Sequence, residues 1–193
     1  MAFDILKTHK NPGKIWYGLA VPAADAELTI GTDGTPDAVE NPNAKLIGLT
    51  ESGSEFGVEK TVTDEYFDEF KEPLEQTLET ATLMIKCRAA QVMDWDLLEM
   101  ATVGVGTRDD KTGIEKLRFG QGVIAYSGVA VISPTKEDPT KFAVFHLYKA
   151  YNAANVAVGI SRQTRSGIDL EFHAAGIPTR EEDDTQGAAW KQT

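Results

Sequence analysis

The sequence predicts a mainly β protein: an antiparallel β-sandwich or open barrel with a short flanking α-helix, extended loops and terminal arms. Three observations carry this. Ile168, Leu170, Phe172 and Ala174 alternate with Asp169, Glu171 and His173, the period of a strand with one face inward. Val123 to Ile132 and Phe142 to Lys149 are runs of β-formers bounded by Ser133-Pro134 and Asp138-Pro139, the punctuation expected at strand ends. Only Asp94 to Ala101 reads as a clear helix, with Asp94 as its N-cap and Gly104 as its stop. Many strands and a helix too short to stand alone must pack as layers around one core.

In chain order, residues 1–10 form an N-terminal arm, and Asn11-Pro12-Gly13 turns into a first strand, Lys14 to Ala20. Residues 21–43 shift to Ala, Asp, Gly, Thr and Pro and read as a loop; loops of that length in a compact domain are functional, disordered or covered by a partner. Leu46 to Val62 predicts a strand, a turn at Ser52-Gly53-Ser54 and a second strand with Phe56, Val58 and Val62 on alternate positions. The chain then becomes acidic: Asp64, Glu65, Asp68, Glu69, Glu72, Glu75 and Glu79 are opposed only by Lys71. An acidic hairpin over 50–79 results, costly in like-charge repulsion unless water or a partner covers it.

Thr80 to Val92 fits both an alternating strand and a helical stripe, and Thr77, Thr80 and Thr82 favour the strand. Beyond the helix, Thr107 to Gly113 is a charged turn, Leu117 to Gly122 a short strand, and Val156 to Ile160 a weaker one. The C-terminal arm, 178–193, is acidic through Glu181, Glu182, Asp183 and Asp184, and ends near Trp190. A lone aromatic in such a tail points to docking on something.

The 193 residues suit a single domain. With 30 acidic against 19 basic residues the formal net charge is -11, which argues against a protein that grips phosphates and is compatible with one that nucleic acid passes without sticking. Acidity also keeps a soluble protein dispersed. The single cysteine, Cys87, excludes an intrachain disulfide, suits a reducing compartment, and sits in an apolar alternation as a small buried thiol. The expectation is of no signal peptide and no membrane association: no run approaches the roughly 18 apolar residues of a span.

Candidate chemistry is sparse. His9, His146 and His173 have no metal-pair spacing. His146, mid-strand between Phe145 and Leu147, reads as a satisfied structural histidine. His173 beside Asp169 and Glu171 sketches an acid–base pair without a nucleophile. Gly104-Val105-Gly106 and Gly120-Gln121-Gly122 complete neither a dinucleotide fingerprint nor a phosphate loop and read as turns. Asp109-Asp110-Lys111-Thr112-Gly113 lacks the regular ligand spacing and terminal Glu of a calcium loop. The reading is of no enzyme and no cofactor or metal.

The order of elements resembles the major tail (tail tube) proteins of long non-contractile-tailed bacteriophages, especially those with actinobacterial hosts. The likeness rests on Pro12-Gly13-Lys14-Ile15-Trp16-Tyr17, on Gly31-Thr32 with Pro36, and on Leu46-Ile47-Gly48-Leu49-Thr50-Glu51-Ser52-Gly53. The Leu46-Ile47-Gly48 spelling departs slightly from the family's Leu-Gly-x-Thr-x-x-Gly opening. The short helix, the Ser-Pro-ended strand and the run into Tyr148-Lys149-Ala150 extend it over roughly residues 11–187.

That resemblance implies a tail-tube fold and a structural virion protein whose hexameric rings stack into a conduit for DNA. Its partners would be further copies of itself, the tape measure protein, and tail terminator and baseplate proteins, with double-stranded DNA passing unbound. Localisation would be the virion tail, assembled in the host cytoplasm. Glu75, Glu79, Asp169 and Glu171 are then the candidates to face the lumen, where carboxylates repel phosphates. Glu59, Asp64, Glu65, Tyr66, Phe67, Asp68, Phe70 and Trp190 are the candidates for ring stacking. The alternatives are another virion β-sandwich (terminator, decoration or baseplate) or a small acidic glycan-binding module or hydrolase.

Overall fold

A computed structural model describes residues 13–23, 26–48, 50–65, 75–90, 95–102, 104–109, 114–119, 124–135, 138–155, 167–180 and 185–192. In chain order these form β1 (Lys14–Leu19), β2 (Lys45–Ile47), β3 (Thr50–Glu65), β4 (Glu75–Ala89), α1 (Trp95–Ala101), β5 (Gly104–Asp109), β6 (Ile114–Phe119), β7 (Ser127–Pro134), β8 (Phe142–Asn152), β9 (Ile168–Ala174) and β10 (Gly187–Lys191). The expected N-terminal arm at 1–10, the strand at Val156 to Ile160, the Gly120-Gln121-Gly122 turn, the Asp94 cap and the acidic 181–184 stretch lie outside the described residues.

Eight strands form one antiparallel sheet in the order β2-β1-β7-β8-β9-β4-β3, with β10 on β8. The fork lies at β8. One of its edges pairs with β7, while the other is shared between β10 at Ala143 to Leu147 and β9 at Ala150 to Asn152. The β9-β4-β3 half thereby leaves the plane of β2-β1-β7-β8. The main core fills the angle: Ile15, Tyr17, Val129 and Leu147 from one half meet Ile85, Ile168, Leu170 and Phe172 from the other, and α1 adds Leu97 and Ala101. This is the mainly β, sandwich-like architecture that the alternation predicts. In β9 the four apolar positions are buried and the three polar ones are not.

β7 and β8 are buried on both faces, because the long loop covers the sheet's far side. Leu28 of the loop is buried there with Ala130, Ile132, Phe142 and Val144, and Ile30, Ala44, Trp16 and Trp190 pack around them. The loop holds its shape through local bonds: Asp37 Oδ1 accepts from Val39 N at 2.7 Å, and Asn41 Oδ1 accepts from Ala20 N at 3.1 Å. The partner expected to cover this loop is, for its described residues, the chain's own sheet.

Three local expectations are corrected. Ser52-Gly53-Ser54 is no turn: β3 runs through it, and between Thr50↔Ala89 and Ser54↔Cys87 it gains two residues over β4. Gly53, at φ 84°, supplies the left-handed backbone this irregularity needs. Leu46 and Ile47 belong to a separate short strand on β1. Gly104 and Gly106 lie within β5, which pairs with β6 from Gly104↔Phe119 to Asp109↔Ile114, so Thr107 to Asp109 is strand as well. The β-formers Val105, between the glycines, and Thr107, after them, carry the strand, and pairing outweighs the glycine penalty. The C-terminal arm is likewise no solvated tail, since Gly187–Lys191 hydrogen-bonds along β8.

Thr80 to Val92 resolves as strand and extends back to Glu75. β4 must pair with β3 on one side and with β9 on the other, a demand that no helical stripe can meet.

Candidate functional site

The most unusual surface is the β3–β4 hairpin. β9 accompanies β4 only from Ala89 to Met84, but β3 and β4 continue for eight more pairs, from Val58↔Leu83 to Glu65↔Glu75. At about 3.3 Å per residue this is an arm of roughly 25 Å, carried by two strands with no third strand beside them among the described residues. Isolated two-stranded ribbons with open edges are marginal in water and are templates for pairing.

Phe56 and Leu83 pack against the main core. Farther out on the same face stand Val58, then Val62 opposite Leu78, with 43%, 48% and 54% of their surface exposed. They remain in phase because a single extra residue, Glu79, sits between Thr61↔Thr80 and Val62↔Leu78. The core face therefore runs off the body of the protein and carries these apolar side chains into solvent, with the exposed Lys60, opposite Ala81, between Val58 and Val62. The other face carries Glu59, Thr61 and Thr63, all exposed. Thr63 Oγ1 donates to Glu79 Oε1 across the bulge.

The candidate residues fall in separate places. Glu59 and Glu79 are on the arm; Asp64, Glu65 and Glu75 occupy its far end in the register, with Glu65 opposite Glu75. Tyr66, Phe67, Asp68 and Phe70 lie outside the described residues. Trp190 is engaged within its own chain: it pairs with Val144 and its indole packs into the second core.

Asp169 and Glu171 are not free carboxylates. β9 and β4 place Asp169 opposite Arg88 and Glu171 opposite Lys86, with separations of 3.3 Å and 2.9 Å. His173 Nε2 lies 2.9 Å from the same Glu171 oxygen. The hydrogen bonds from His173 and then Lys86 hold the Glu171 carboxyl below its usual range, and the bond to Glu171 raises Lys86. On the other side of Lys86, β3 places Glu55 opposite it, giving a cross-strand ladder of alternating sign. A shallow depression of about 390 Å³ runs over this ladder, lined by Glu55, Lys86, Arg88, Asp169 and Glu171. Sequence reasoning missed Lys86 and Arg88, although their outward alternation around Cys87 was a usable signal.

No constellation for catalysis emerges among the described residues. The His173–Glu171 pair has a lysine beside it in place of a nucleophile. Burial pushes the Cys87 thiol up to about 12, which removes the thiolate a nucleophile needs. Among the described residues no three His, Cys, Asp or Glu side chains are grouped to hold a metal ion, and no helix is long and apolar enough to cross a membrane. In sequence, the chain matches no family model and no curated protein.

Proposed function

We propose that this chain is a structural subunit that polymerises into a hollow tube, the tail tube of a long-tailed bacteriophage, as stacked rings of identical copies. The observation that carries the reading is the β3–β4 arm: among the described residues no strand pairs with its outer edges beyond Ala81, and the core face continues into solvent with Val58, Val62 and Leu78 exposed on it beside Lys60. A monomer gains nothing from that surface, whereas a neighbouring copy that covers it gains about 25 cal/mol per Å² of apolar area removed from water. Open sheet edges that would invite disordered aggregation are paired in register when identical copies close a ring.

The lumen reading changes in one respect. With Asp169 tied to Arg88 and Glu171 to Lys86, repulsion of DNA phosphates falls to carboxylates outside these two ion pairs, Glu79 and Glu59 on the arm among them, and to the net charge of -11. Screening confines that repulsion to within about 8–10 Å of the wall. The tape measure protein would fill the bore before DNA does, and terminator and baseplate proteins would close the two ends.

The test is direct. Purified protein at high concentration, viewed by negative-stain microscopy, is expected to show rings or tubes of uniform diameter. A monodisperse monomer at every concentration, above all one that binds or cleaves a glycan, rejects the proposal.

A further inference from the structure

The face of β8 opposite the main core holds a histidine in an unusual setting. His146 is 1% exposed, yet neither ring nitrogen has a hydrogen-bond partner among the described residues. The sequence predicts a satisfied structural histidine; this one is buried without satisfaction. Its ring meets Tyr148 edge-on at 5.1 Å and Trp190 of β10 at 6.4 Å. The Arg180 guanidinium lies 4.0 Å over the Tyr148 ring and donates to the Ala23 carbonyl at 3.0 Å, tying the long loop down beside β10. β7 gives the imidazole its room by presenting Gly128, where a Cβ would stand 3.1 Å from Nε2. A buried imidazole without partners costs stability that a phenyl ring in the same slot would not.

We propose that His146 is an acid-operated release for the C-terminal strand: an imidazolium cannot remain in this slot, so β10 lifts from β8 and frees the Ala143 to Leu147 edge for another strand. Among the described residues, the elements around the ring bring the new charge no carboxylate. β7 contributes a glycine, β8 the Tyr148 ring, β10 Ala188 and Trp190, and the segment after β9 contributes Arg180, the charged group that acts on His146. Burial first, and then the Arg180 charge, hold the imidazole down to about 4. Once β10 has lifted, the ring is in water and titrates at its ordinary value of 6.5. A histidine lowered in the closed state binds its proton preferentially in the open one. The open-to-closed ratio is therefore flat above 6.5, climbs about tenfold per pH unit below it, and levels off under about 4.

Hydrogen–deuterium exchange followed by mass spectrometry reads this directly, as the protection factor of the 186–192 peptide compared with peptides from β4 and β9. In the wild type, protection at 186–192 is expected to fall about 100-fold between pH 7 and pH 4 while β4 and β9 stay protected. In His146→Phe it should change less than about threefold. Should His146→Phe not fold, His146→Gln serves as the uncharged variant, and the His146 titration followed by NMR is expected near 4 in the wild type. The same acid-dependent fall in the variant, a wild type fully protected at pH 4, loss of protection throughout the sheet together with β10, or a His146 titration near 6.5 each overturns the proposal.

Discussion

The side-chain amide of Gln186 bonds to the main chain at Leu83 as a neighbouring strand would. Its Oε1 accepts from Leu83 N at 2.9 Å, and its Nε2 donates to the Ala81 carbonyl at 2.6 Å. β9 stops pairing at Met84↔His173, one residue short of these groups, so the amide takes over where the strand ends. The main-chain carbonyl of Gln186 accepts from Tyr148 N at 3.0 Å. One residue therefore joins the two halves of the sandwich at the point where they part. Removing it in Gln186→Ala strands a donor and an acceptor on a half-buried edge. The expected loss is about 1–3 kcal/mol, read as a lower urea midpoint with an unchanged slope.

Two glycines with similar dihedrals should respond differently to a methyl group. Gly18 has φ 72° and Gly53 φ 84°, so alanine at either meets left-handed strain of about 1–2 kcal/mol. A Cβ at Gly18 would also fall 2.5 Å from the Asn43 carbonyl oxygen, whereas one at Gly53 finds nothing within 4 Å. Backbone cannot swing aside as a side chain can. Gly53→Ala is expected to remain within about 2 kcal/mol of the wild type, and Gly18→Ala to exceed it by at least about 1 kcal/mol, measured by thermal or urea unfolding. Equal losses would mean that the loop carrying Asn43 gives way freely.

The ladder on the β4–β9 face sets a sign for acid stability. The Glu171 carboxyl is held below its ordinary value of 4.5 by His173 and Lys86. A depressed carboxylate contributes stability that is fully present above the ordinary value and is lost as pH falls through the lowered one. Glu171→Gln should therefore cost a little at pH 6 and nothing further on the way to pH 3, while the wild type loses that increment. The difference between their urea midpoints is expected to shrink as the pH drops. Because Lys86 and Glu171 are partly exposed, the increment is small, and 1 M salt should reduce it. A difference that grew towards acid would show that the pairing is not what lowers the carboxyl.

How much of this was legible follows the physics of each element. The alternation in Ile168 to Ala174 shows in the chain because one face of β9 is buried and the other wet. β7 and β8 lose their alternation because the 21–43 loop covers their second face, and nothing in the loop's own composition says which surface it will lie on. Gly53 resembles a turn residue because the same left-handed backbone serves a turn and an irregularity within a strand; only the long-range register with β4 separates them. Asp169 and Glu171 announce themselves as outward carboxylates, but their neutralisation by Arg88 and Lys86 depends on β9 lying beside β4 across some eighty positions of sequence. The pairing of Gln186 with Leu83 leaves no local trace for the same reason.

The arm offers the sharpest separation between folding and assembly. Val62 and Leu78 face each other where no third element among the described residues covers them, half exposed, so replacing both with serine removes little from the monomer: less than about 1 kcal/mol, chiefly lost strand propensity. If a neighbouring copy buries them, the same change removes a contact of about 1.5–3 kcal/mol per large apolar side chain from every joint, enough to raise the concentration needed for polymerisation at least about tenfold. Thr61 and Thr80 form the matched control, since they pair directly across the same ribbon, one step nearer the body. Thr61→Ser with Thr80→Ser should leave both the unfolding midpoint and the polymerisation threshold, followed by light scattering and microscopy, where they are in the wild type. Equal loss of assembly in both double variants would mean that the ribbon's stiffness matters and its apolar face does not; assembly unaffected in Val62→Ser with Leu78→Ser would move the contact off this face.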